Sequence, residues 1–164
     1  MPKPHKRDVI ISIQGCRFSP NPQNNHLVNV ITDGSMVRVP QGYTVSYREP
    51  YDPEGDSLTT LLVEHSRVTM LRSGDINTQM VFEEGRRHVS YYDSADGPTT
   101  VGVTASRVET DIGLEGGRIA VNYGVEIAGS IAEESFVHID IRAATGPWLT
   151  VPDGITIYKD EYIN

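Results

Sequence analysis

The chain has 164 residues with a formal charge of −8, 38% apolar residues and one cysteine. That length suits one domain with a sizeable core, and the acidic balance excludes the phosphate backbone of a nucleic acid as a partner. A lone cysteine, Cys16, excludes an intrachain disulfide and a CxxC metal knuckle.

The opening "MPKPHKRDVIISIQGC" is basic, but its apolar run "VIISI" is too short for a signal-peptide core. No stretch reaches the length of a membrane-spanning helix. These features predict a cytoplasmic protein with no membrane partner. Apolar residues almost never recur at helical spacing, and Thr, Val, Ile and Tyr dominate the patterned segments. Strands are expected near 8–15, 26–39, 43–49, 58–64, 67–73, 77–84, 86–92, 99–112, 118–128 and 135–143, with a bend at Gly34 in the second. Turn signals part them, among them Asp33-Gly34, Ser73-Gly74-Asp75, Glu84-Gly85 and Glu115-Gly116-Gly117.

Within 99–112 the apolar phase switches, from Val101, Val103 and Ala105 to Val108, Thr110 and Ile112. One extra residue near Ser106-Arg107 produces that switch, as in a β-bulge. The clearest alternation is "RIAVNYGVEIA", with Ile119, Val121, Tyr123, Val125 and Ile127 on one face. About ten consecutive strands with short links predict an all-β, antiparallel, up-and-down barrel of eight to ten strands, which removes exposed edges. A two-sheet sandwich is the structural alternative. The barrel is read as one domain over 1–164, with a core of about 8–143 and a tail, 144–164, holding the only tryptophan, Trp148. That tail is placed over a barrel end or against a neighbouring chain, so a homodimer is a candidate assembly.

Two strands end on charges that fall on the apolar-patterned side. Tyr43, Val45 and Tyr47 lead to Glu49, and Val68 and Met70 lead to Arg72. An odd number of loop residues after the Arg72 strand places Val68, Met70 and Arg72 on one face with Thr78, Met80 and Phe82, which gathers the large apolar side chains. A two-residue turn at Glu84-Gly85 then adds Val89 and Tyr91 to that face; a three-residue turn adds Tyr92 instead. The expected upper-end cluster is Glu49, Arg72, Thr78 and Tyr91 or Tyr92, with Tyr123 or Val125 approaching from the far wall. An inward charge must be paired or hydrated, and Glu49 is the natural partner of Arg72. Such a pair serves either as an internal plug or as a ligand-orienting site.

Other chemistry is sparse. His138 and Asp140 share an outward face, without a third ligand for a metal. No GxSxG-like elbow precedes a serine, and "GLEGGR" is a hairpin turn rather than a phosphate cradle. Glu64, Arg67, Arg86, Arg87 and Glu126 read as a solvated face. No cofactor is implied.

The ordered set "SYRE" (46–49), "MLRSG" (70–74), "MVFEEG" (80–85), "YDSADG" (92–97) and "TDIGLEGGRIAVNYGVEI" (110–127) resembles the small bacterial YwiB-like family, a domain of unknown function. The resemblance covers roughly residues 8–143. It implies a calycin-like barrel, similar in shape to lipocalins and fatty-acid-binding proteins, with no established activity. It also singles out Tyr47 with Glu49, Arg72 with Gly74, and Tyr92 with Gly97. The first strand lacks the GxW motif of secreted lipocalins, a single cysteine leaves no disulfide pair, and no export signal is expected.

The functional expectation is a non-enzymatic barrel that binds an unidentified small molecule with an anionic or polar head. Arg72 would orient the head, with Glu49, Tyr47, Thr78, Tyr92 and Tyr123 around it. A filled barrel serving as an interaction module, with an apolar patch near Trp148 and Leu149, is the alternative. A hydrolase using Glu49 as general base is a third.

Overall fold

A computed structural model describes residues 6–18, 26–48, 57–74, 78–94, 97–127, 130–144 and 156–157. The strands are β1 (Lys6–Phe18), β2 (His26–Val39), β3 (Gly42–Arg48), β4 (Leu58–Val63), β5 (Arg67–Ser73), β6 (Thr78–Glu83), β7 (Arg87–Ser94), β8 (Gly97–Gly113), β9 (Gly116–Ile127), β10 (Ser130–Ala143) and β11 (Thr156–Ile157). No helix occurs among the described residues. Consecutive strands from β2 to β10 pair antiparallel, and β1 pairs with β10 on one side and β2 on the other. That last pairing closes the meander into an up-and-down barrel, consistent with a calycin-like shape, and rules out the two-sheet sandwich.

Alternation fills the interior. Val9, Ile11, Val45, Val103, Ile119, Val121 and Ile141 all lie at 2% exposure or less. Each such side chain contributes roughly 1.5–3 kcal/mol by leaving water. In β9 the expected inner face holds at Ile119, Val121 and Val125, but Ile127 at the strand end is exposed.

Two irregularities shape the wall. β8 and β9 change register between Ala105 and Arg107, so Ser106 is the extra residue that the phase switch predicts. β2 changes partner at Gly34. From Gly34 to Val39 it pairs with β3, whereas Val30 and Ile31 pair in parallel with β11. A side chain at Gly34 would collide with the Ser46 carbonyl and the Ile11 side chain, so the close approach of β3 requires glycine there. The pairing of Thr156 and Ile157 with β2 gives part of the tail a place on the sheet; Trp148 and Leu149 lie outside the described residues.

One end of the barrel is tied by hydrogen bonds between β8 and the β4–β5 turn. The Thr110 hydroxyl, on β8, donates to the carbonyls of Glu64 (3.0 Å) and His65 (2.7 Å) in the β4–β5 turn. A single hydroxyl proton serves either bond in turn, so the pair is shared rather than simultaneous. In the same turn Arg67 grips Glu64 with two bonds of 2.6 and 3.1 Å. The bond from Arg67 holds the Glu64 carboxyl below its ordinary range, against the opposing pull of burial.

Candidate functional site

The opposite end is built by hairpin register. β5 and β6 pair as Val68 with Phe82, Met70 with Met80 and Arg72 with Thr78, so the loop between them has the odd length expected from the apolar pattern. Extending that line across the sheet aligns Tyr47, Thr59, Arg72, Thr78 and Tyr92 as successive partners in one row. Glu49 lies outside the described residues, and with it the expected ion pair to Arg72.

Four side chains of this row, Tyr47, Thr59, Arg72 and Thr78, are polar and sheltered. Tyr47, Thr59 and Thr78 are buried, and Arg72 is half-buried between the two threonines. Arg72 donates from Nε to Thr59 Oγ1 at 3.5 Å. Thr78 Oγ1 is fully buried and has no hydrogen-bond partner among the described residues. A buried hydroxyl left unpaired costs about 1–3 kcal/mol.

Tyr123 sits elsewhere. Its ring packs against Phe82, centroids 4.7 Å apart, and Phe82 belongs to the row of Val68 rather than that of Arg72. Its aromatic bulk therefore fills the barrel nearer the tied end.

The β6–β7 hairpin resolves the choice between the two tyrosines. The turn has the expected two residues, Glu84 and Gly85, with Gly85 at φ 77° and the Arg86 N–H bonded to the Glu83 carbonyl at 3.0 Å. That register, continued, would put Tyr91 opposite Thr78. Tyr92 stands there instead, so β7 gains one residue over β6. The reason is that β8 sets the phase of β7: His88 pairs with Val103, Ser90 with Val101 and Tyr92 with Thr99. The Gly85 N–H is drawn to the same strand, bonding to the Ala105 carbonyl at 3.0 Å beside the bulge. Val89, expected inside, is 53% exposed.

A cleft of about 450 Å³ opens where β6 and β7 part, lined by Arg72, Ser73, Thr78, His88 and Ser90 together with Leu71, Gln79, Val81 and Val89. Its size falls within the roughly 300–1,000 Å³ of small-molecule sites. Across the opening His88 Nε2 meets Glu83 Oε1 at 3.0 Å. Thr59, His88 and Ser90 were not singled out by sequence. Thr59 was within reach, because the short β4–β5 turn that sets Val63 against Val68 sets Thr59 against Arg72.

The remaining charged candidates are engaged on the surface. Arg87 bonds Glu126 at 2.9 Å, Arg86 lies 3.8 Å from Glu83, and Asp140 pairs with Arg118 at 3.1 Å. His138 is exposed and packs against Phe136. Among the described residues, no three His, Cys, Asp or Glu side chains gather as metal ligands.

The family model described as a domain of unknown function, DUF1934, matches residues 11–139. Among solved structures the chain is similar to the ywiB protein of Bacillus subtilis, with a TM-score of 0.74 and 18% identity over 85% of this chain and 94% of that one. At that identity the likeness shows the fold alone. No curated protein matches the chain.

Proposed function

The chain belongs to the DUF1934 family, whose function is unknown, and from that premise we propose that it is a non-enzymatic barrel binding a small ligand with an anionic or polar head. The observation that carries this reading is Thr78, which lines a cleft beside Arg72 and whose buried hydroxyl has no partner among the described residues. An arginine offers a fork of donors suited to a carboxylate or a similar oxyanion, and a threonine hydroxyl can donate to or accept from the same head. Tyr47 and Tyr92 flank these residues by register. The setting we assign is the cytoplasm, where a chain with one cysteine lacks nothing by forming no intrachain disulfide.

Native mass spectrometry of freshly purified protein, beside a denatured control, tests the reading. A reproducible added mass that is lost on Thr78→Val or Arg72→Ala supports it. An added mass that survives both substitutions places the ligand elsewhere and overturns it.

A second reading, a filled barrel acting as a scaffold for protein contacts, draws support from the dense apolar interior around Ile11, Ile119 and Ile141. In that reading the Thr78 cleft stays empty and assembly depends on protein concentration in gel filtration. The hydrolase reading rests on Glu49, outside the described residues, and gains no geometry.

A further inference from the structure

The cleft is lined by residues from both faces of the wall. Side chains along a strand alternate between faces. Arg72, Thr78 and Ser90 belong to the inner face, as the burial of Thr78 and Ser90 and the pairing of Ser90 with Val101 require. Leu71, Gln79 and Val89 belong to the outer face and are exposed, and Val81 shares their side of β6. Both sets meet at this one cleft, where β6 and β7 have no ladder pairs among the described residues.

The ladder shows where. Among the described residues β6 and β7 meet at Thr78–Tyr92 and again at Glu83–Arg86, and the register slips by one residue between these points. The intervening stretch has no ladder pairs. The His88–Glu83 bond runs through the same seam. His88 is on the inner register by its pairing with Val103, and Glu83 is on the outer side by its pairing with exposed Arg67.

We infer that the ligand of this site is a small amphiphile that enters sideways through the β6–β7 seam, with its anionic head on Arg72 and Thr78 and its apolar body along Leu71, Val81 and Val89. The inference rests on the binding reading above and adds the class and orientation of the ligand. Two of the large apolar side chains left most exposed, Leu71 at 44% and Val89 at 53%, stand on the outer lip of the opening. The inner lip carries Arg72 and Thr78, and the Thr78 hydroxyl lies buried just behind it without a partner among the described residues. An apolar tail on the outer lip removes Leu71 and Val89 from water, and the head supplies the partner that Thr78 Oγ1 lacks.

Calorimetric titration with octanoate, with acetate as a head without a tail, tests this. Octanoate is expected to bind the wild type more tightly than acetate does. The double variant Leu71→Ser/Val89→Ser is expected to bind octanoate about tenfold more weakly, with acetate binding and melting temperature unchanged, because only apolar contact is removed. Octanoate affinity that is unchanged in the double variant but lost in Thr78→Val overturns the seam path and leaves the head site standing. No octanoate binding to the wild type overturns the amphiphile; if a co-purified mass still depends on Thr78, the binding reading survives it. Association with anionic lipid vesicles but not with monomeric octanoate also overturns the inference.

Discussion

The two ends of the barrel solve the same problem differently. At the β4–β5 turn, Thr110 reaches across from β8 to a carbonyl, and the Glu64 carboxylate is gripped by Arg67. Beneath that end Phe82 and Tyr123 pack ring on ring. At the Arg72 end the wall is parted between β6 and β7, and a buried hydroxyl has no partner. Thr110, Glu64 and Arg67 at the tied end are matched within the chain, whereas Asn122 Oδ1 and Ser135 Oγ, beside Tyr123, are buried without a partner among the described residues. Of the three buried unpartnered atoms among the described residues, Thr78 Oγ1 belongs to the residue that lines the cleft beside Arg72, and the proposed ligand would give it a partner.

The largest effect that separates the ends lies in the packing of the tied one. Phe82→Ala should cost about 3–5 kcal/mol, since it removes a buried ring and leaves a cavity against Tyr123. Urea denaturation measures it, and a much smaller loss would mean that the two rings do not anchor that end.

Thr110→Val sharpens the comparison. It deletes the link between β8 and the β4–β5 turn and should destabilise by about 1 kcal/mol, because the two carbonyls lose a donor. Equal stability of variant and wild type in the same denaturation assay would show that the end is not tied.

Acid should act on the tied end most weakly of all. The folded Glu64 carboxyl lies below its ordinary range, so its contribution is complete above the unfolded carboxylate range and fades as pH falls through the folded value. Arg67→Ala should flatten this part of the acid unfolding curve slightly, the pair being partly exposed and screened. An unchanged curve in low salt would remove the Glu64–Arg67 grip from the account.

Most of the wall was legible in sequence, because alternation and turn residues report directly on which side chains face the core. The Ser106 bulge announced itself as a phase switch between Ala105 and Val108, and the parity of the β5–β6 loop followed from gathering Met70, Met80 and Phe82 on one face. Arg72 and Thr78 came together on the same grounds. Tyr92 did not, because the step from turn to strand assumed that β7 keeps the register of β6, whereas β8 dictates it. The seam itself leaves no local mark, since it arises from a mismatch between two neighbours of β7. β11 is two residues long and carries no periodicity to read.

The most direct test of the site is Thr78→Val, followed by melting temperature and by fluorescence titration with anilinonaphthalene sulfonate, an apolar probe with an anionic head. The variant keeps the shape of the side chain and removes the unpaired hydroxyl, so it should melt at the same temperature or higher and bind the probe more weakly. A variant that melts lower and binds the probe as the wild type does would make the hydroxyl a structural bond and the Arg72 end a plug.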